Sequence, residues 1–203
     1  MCDELRALKS GDETALAELF SRYRERLERM VEFRLDGRLR GRIDPADVLQ
    51  EAYLRVAQRI DHFLSHPSVS FYVWLRSQTY QTLIDLHRQQ SAQKRTAAVE
   101  VRLGGYSDPD ETGASIAQAL FKQRTSPSQA AVRAEEIRQL REALGSMDEV
   151  DREVLALRHF EHLSNSEVAE TLELSPTAAS NRYVRAMTRL GEIMNRLSSS
   201  DDK

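Results

Sequence analysis

Between positions 176 and 190 the chain sets Thr177, Ser180, Asn181, Arg182, Arg185 and Arg189 at helical spacing, with no acidic residue among them. Short hydroxyl and amide side chains can reach base edges in a major groove, where asparagine pairs with adenine. Guanidinium groups meet guanine or phosphate. The chemistry on offer is recognition of duplex DNA rather than bond making. Ser175 stands ready to cap this helix, with Pro176 at its first position, where a fixed φ helps and a missing N–H costs nothing. Taken alone, these residues also fit a plain helical hairpin with a solvated basic face.

Catalytic patterns are missing. The chain has no phosphate-loop glycines, no G-x-S-x-G elbow and no H-E-x-x-H run. Two histidine pairs, His62/His66 and His159/His162, have ligand-like spacing but no cysteine beside them, which falls short of a metal set. No catalytic residue, metal or cofactor is expected. A helical metal-dependent hydrolase built on those pairs is the rival of another class.

A second helix must position the DNA-facing one. Ser164 and Glu167 form a capping box before the apolar stripe Val168, Ala169 and Leu172, and Leu174 fills a tight turn. In the helix after Pro176, residues Ala179, Tyr183, Ala186, Met187 and Leu190 recur at inward spacing. Upstream, Ser146 and Glu149 suggest another capping box before VDREVLALRHF. Residues 198–203 read as a frayed tail.

Charge distribution constrains how such a module works. The net charge is −3, and residues 135–197 carry 8 basic against 12 acidic groups. Phosphate neutralisation supplies most non-specific affinity, so a basic helix on an acidic body should bind DNA weakly alone. A larger partner would hold it on the duplex. The alternative is a free-standing regulator that binds an operator as a dimer. With 40% hydrophobic and 30% charged residues, one cysteine (Cys2), a charged N-terminus and no apolar run of membrane length, a cytoplasmic protein without a membrane role is expected.

The first half of the chain is helical by pattern. Leu5 and Leu8, then Ala15, Leu16, Leu19, Phe20, Tyr23, Leu27, Met30 and Val31, give apolar stripes broken at Gly11-Asp12. Arg34, Arg38, Arg40 and Arg42 form a basic segment that fits either a solvated turn or a phosphate contact. Asp44-Pro45 starts a helix that buries Val48, Leu49, Ala52, Tyr53, Val56 and Ile60. Its opposite face carries Asp47, Gln50, Glu51, Leu54, Arg55 and Arg59. A Pro67 loop leads to a helix from Phe71 to about Gln90 with the stripe Leu75, Thr79, Leu83 and Leu86. Phe71, Trp74, Arg76 and Tyr80 are expected partly outside that stripe. The aromatic cluster Phe71, Tyr72, Trp74 and Tyr80 suits either core packing or stacking on unpaired bases. Residues 91–130 lose periodicity and read as linker, with a helical turn at 116–122. A last helical domain starts near Pro127–Ala134, with Ile137, Leu140 and Leu144.

Three segments in order, DPADVLQEAYLRV (44–56), FYVWLRSQTYQTLIDLHR (71–88) and DREVLALRHFEHLSNSEVAETLELSPTAASNRYVRAMTRL (151–190), resemble the bacterial RNA polymerase sigma factors of extracytoplasmic-function (ECF) type. The arginine-rich segment and SPSQA (126–130) look like a variant branch. The resemblance implies an all-α fold of two helical domains joined by a flexible linker, the C-terminal one a helix-turn-helix. Their expected bounds are 1–95, 96–130 for the linker, and 131–197. It implies a promoter-specificity subunit whose partners are core RNA polymerase (β′ clamp and β flap), promoter DNA and, in the family, an anti-sigma factor. Carried over, Asp44, Asp47, Gln50, Glu51, Leu54 and Arg55 fall on the clamp-binding face. Ser65, His66, Phe71, Trp74, Arg76, Tyr80, Gln81 and Arg88 fall on the −10 reading and melting part. There an extruded base is stacked and pocketed. Ser175, Thr177, Ser180, Asn181, Arg182, Arg185 and Arg189 fall on the −35 reader. The sequence departs from the family at Glu173, where glycine is usual in a left-handed turn. It departs again at Ala179, at Ser180-Asn181 for a Lys-Ser pair, and at Gln81 for asparagine.

Overall fold

The structure, a computed structural model, describes residues 8–9, 14–35, 42–93, 138–140 and 142–200. The expected linker (96–130), the helical turn within it, Leu5, Arg38, Arg40 and Ile137 lie outside the described residues. Regular structure among the described residues is helical, with no strand. The chain divides into two compact units, 1–100 and 101–203.

The first unit packs three helices against one another: α1 (Ala15–Arg34), α2 (Pro45–Ser65) and α3 (Phe71–Gln93). Helix α1 begins after Thr14 and buries Leu16, Leu19, Phe20, Leu27, Met30, Val31 and Phe33 on one face. Helix α2 starts where Asp44 accepts a hydrogen bond from the Ala46 amide at 2.9 Å, with Pro45 next in line. It ends at His66, just before Pro67, whose ring cannot continue a helix. Helix α3 is flanked by both α1 and α2, so its apolar residues do not form a single stripe. Phe71, Tyr72, Val73, Leu75, Thr79, Thr82 and Leu83 are all buried. The threonine hydroxyls are satisfied by carbonyls one turn back, Thr79 to Leu75 and Thr82 to Gln78, both at 2.9 Å.

The second unit contains a helical stretch at 138–140 and 142–145, then α4 (Glu149–His159), α5 (Asn165–Thr171) and α6 (Pro176–Ser200). The cap of α4 differs from the expected Ser146–Glu149 box. Asp148 accepts from the Val150 amide at 3.0 Å, while Ser146 donates its hydroxyl to the Ala143 carbonyl at 2.8 Å, closing the helix before. Asp148 sits at the boundary itself, two residues nearer the free amides. Buried Arg152 donates to the carbonyls of Leu144 (2.8 Å) and Met147 (2.6 Å), placing a cation on the negative end of the preceding helix.

Helix α5 has the expected capping box: Glu167 N to Ser164 Oγ at 3.2 Å and Ser164 N to Glu167 Oε2 at 2.8 Å. Its end is a Schellman turn. The Leu174 amide reaches Ala169 O at 2.8 Å, the Glu173 amide approaches Glu170 O at 3.4 Å, and Glu173 takes φ 55°. Ser175 Oγ then accepts from Ala178 N at 3.1 Å to open α6, and Asn165 Nδ2 donates to Pro176 O at 2.8 Å, tying the two helix starts together. Helix α6 seats on α4 and α5 through Ala179, Ala186 and Ile193, spaced seven residues apart. Tyr183 and Leu190 are half-buried beside them. Met187, expected inward, is 41% exposed, because it lies 100° around the helix from Ala186. The helix continues to Ser200, beyond the expected fraying point.

A non-glycine residue in the left-handed region costs about 1 kcal/mol. The E173G variant keeps both turn hydrogen bonds and loses the Cβ, so it should raise stability by up to about 1 kcal/mol, less the added chain entropy of glycine. A urea midpoint that stays unchanged or falls would show that the turn is not strained.

Candidate functional site

Each unit carries a surface with its own chemistry. In the second unit it is the outward face of α6. Thr177, Ser180, Asn181, Val184, Arg185, Thr188 and Arg189 are all exposed there, opposite the buried Ala179–Ala186–Ile193 line. Ser175 is exposed at the cap. The face has short side chains along its middle and arginines down one flank.

Arg182 does not share that face. It is half-buried, and its guanidinium donates to Asp148 Oδ1 at 3.2 Å and to Asp151 Oδ1 at 3.1 Å. Both carboxylates belong to the start of α4. Arg182 therefore fixes α6 against α4, and two acids neutralise its charge. Tyr183 makes a second link: its hydroxyl is 3.2 Å from His159 Nε2, and Arg158 lies over its ring at 5.5 Å. Burial, with the charges of Arg158 and His162, holds His159 below its ordinary pKa. His159 thus meets α6 through Tyr183, while His162 is exposed and occupies a left-handed position at φ 54°. His62 and His66 lie ring to ring at 5.7 Å. Among the described residues no three His, Cys, Asp or Glu side chains gather as a metal set.

In the first unit the outer face of α2 exposes Asp44, Asp47, Gln50 and Glu51, continued by Gln58 and Asp61. Leu54 stands in its middle, 51% exposed. Arg55, expected on this face, stays 3.9 Å from Glu51 one turn back and also reaches toward α3, where it pairs with Asp85. Arg59 follows it, donating to Gln78 Oε1 at 2.9 Å.

Asp85 is a hub that sequence reading missed, although Gln81 and Arg88 stand one turn to either side of it. It accepts from Arg55 and from Gln81 (3.1 Å), with Arg88 3.8 Å away. Burial pushes its pKa up, but the Arg55 and Gln81 hydrogen bonds and the charges of Arg55 and Arg88 outweigh that, leaving it below its ordinary value.

The aromatic cluster of α3 divides in two. Phe71 (7% exposed) and Tyr72 are core, packed with Tyr23 and, for Phe71, also with Phe63. Arg26 covers the Tyr72 ring at 3.6 Å. Arg76, at 5% exposed, is also inside, 5.8 Å from the Tyr80 ring. The expectation that Phe71 and Arg76 lie outside the packed stripe is corrected here: α3 is covered on two sides, so its buried sector is wider than one stripe. Trp74 and Tyr80 remain half-buried. Trp74 stacks on Phe63 at 4.5 Å and 21°. Gln81 and Arg88 are exposed on the same helix, and Ser65 and His66 are exposed in the loop before it.

Among the described residues all regular structure is helical, and one short-polar, arginine-flanked helix face and one acidic, leucine-centred face suit a DNA-binding regulatory subunit. The family model described as ECF sigma factor matches residues 1–196, and the chain belongs to that family. Members direct promoter-specific initiation of transcription and are not enzymes. The chain is also similar to one in a solved structure of CnrH in complex with the cytosolic domain of CnrY. That match has 20% identity and a TM-score of 0.51, and it covers 95% of this chain and 96% of that one. At this identity the likeness concerns the fold. None of the curated proteins matches the chain. No helix among the described residues is long and apolar enough to cross a membrane.

Two tests follow from this geometry. A depressed carboxylate contributes stability above its ordinary pKa of 3.8 and loses it as pH falls through the lowered value. The stability difference between wild type and D85N should therefore be full at neutral pH and shrink below about pH 4; a difference constant with pH would remove Asp85 from the hub. R182A should lower stability by about 0.5–1 kcal/mol, and a D148A/D151A background should remove that loss. An equal loss in both backgrounds would mean the ion pairs do not seat α6.

Proposed function

We propose that the chain joins core RNA polymerase and places it on promoters by reading a −35 and a −10 element. The observation that carries this is the face of α6: exposed, free of acid and mounted on an acidic unit. Such a face can select bases but cannot by itself hold DNA strongly, which suits a subunit carried by a larger enzyme.

In this reading Ser175, Thr177, Ser180 and Asn181 meet base edges in the major groove, and Arg185 and Arg189 meet phosphate or guanine. Arg182 acts as the residue that positions them. The face of Asp44, Asp47, Gln50, Glu51 and Leu54 docks on the polymerase clamp, with Arg55 bracing α2 from behind through Asp85. Ser65, His66, Trp74, Tyr80, Gln81 and Arg88 border the opened −10 strand. Trp74, stacked on Phe63 and tilted against Phe71 at 5.9 Å, offers its half-exposed edge to an extruded base, whose unstacking costs a few kcal/mol. Phe71 and Arg76 support that surface from within. In the same reading the second unit also contacts the polymerase β flap. CnrH, similar in fold, was solved with the cytosolic domain of CnrY. That supports a protein partner for this chain, in the place where the family resemblance puts an anti-sigma factor.

Reversing two acids tests the clamp assignment. D47K/E51K should abolish co-purification with core polymerase while leaving far-UV circular dichroism unchanged. Holoenzyme that still forms at wild-type yield would sink the assignment of α2.

A further inference from the structure

We propose that Val184 reads a thymine methyl group and, together with Asn181, commits α6 to a −35 element containing an A·T step. The proposal rests on the reading of α6 as the −35 reader and goes beyond it by naming the bases. Val184 is 58% exposed, more than either of the other two exposed large apolar residues. It stands one turn after Ser180 and Asn181 and one turn before Thr188, all exposed, on the midline opposite Ala179 and Ala186.

Nothing within the unit accounts for a valine there. It buries little, and a β-branched side chain favours a helix less than most straight-chain residues do. Its methyl groups do match the C5-methyl that thymine alone presents in the major groove. Asn181 offers the bidentate amide that suits adenine N6 and N7. Side chains three residues apart on a helix stand about 5–6 Å from each other, and bases step by about 3.4 Å along a strand. Asn181 and Val184 therefore fall over the same or neighbouring base pairs.

Guanine reading at the midline lacks its usual instrument. Arg182 is turned away onto Asp148 and Asp151, and Arg185 and Arg189 lie along one flank. The centre of the face is left to an amide, hydroxyls and two methyl groups.

The experiment uses holoenzyme formed from the full chain and its core polymerase, with run-off transcription from promoters randomised at the −35 element. In the selected element each thymine is then replaced by deoxyuracil, which lacks only the methyl, and each adenine by 7-deazaadenine, which lacks N7. Wild type should lose about four-fold at one deoxyuracil, the worth of one buried methyl, and about five-fold or more at one 7-deazaadenine. V184A should erase the first loss alone and N181A the second alone. Deoxyuracil tolerated at every position by wild type, or a loss of equal size in V184A, overturns the proposal while the −35 assignment stands. Holoenzyme that forms but selects no −35 sequence overturns the assignment of α6 and the proposal with it.

Discussion

The usefulness of α6 depends on how it is rotated in its seat, and one guanidinium between two carboxylates fixes that rotation. Alanines at 179 and 186 let the helix approach α4 and α5 closely, but small side chains specify closeness better than angle. Arg182, reaching Asp148 and Asp151 at the start of α4, supplies the angle. Asp148 also caps α4, so the residue that begins one helix helps to aim another. With α6 so held, Thr177, Asn181 and Val184 fall on the outward midline. The Schellman turn at Glu173 and the Asn165–Pro176 hydrogen bond set where that midline begins.

The first unit solves a related problem with the charges reversed. There a single carboxylate, Asp85, gathers Arg55 from α2 with Gln81 and Arg88 from its own helix. Helices α2 and α3 are thereby braced on one another behind the acidic outer face of α2.

Helix starts were legible in the sequence because capping is local: Asp44-Pro45, Ser164 with Glu167, and Ser175-Pro176 each complete their hydrogen bonds within a few residues. The left-handed turn at Glu173 was legible only through the resemblance, which puts glycine at that position. Ser146 misled because Asp148 competes for the same role two residues on. The fates of individual arginines were not legible. Arg55 finds its carboxylate 30 residues away and Arg182 finds its two at 31 and 34, distances at which spacing carries no signal. Phe71 and Arg76 were misplaced because a helix packed on two sides buries more than a periodic stripe. Val184 was passed over because it belongs neither to the inward stripe nor to the polar letters that drew attention to the outer face.

The ion pair on Arg182 has one more consequence, best counted in counterions. Association with DNA releases the ions condensed on each phosphate that a protein cation replaces, so the salt dependence of binding reports cations that are available. Formal charge gives α6 three arginines between residues 176 and 190. Arg182 already has two aspartates as its counterions. In the −35 reading proposed above, Arg185 and Arg189 are left to respond to salt in that stretch, so the salt dependence of this helix's contact should count two cations rather than three.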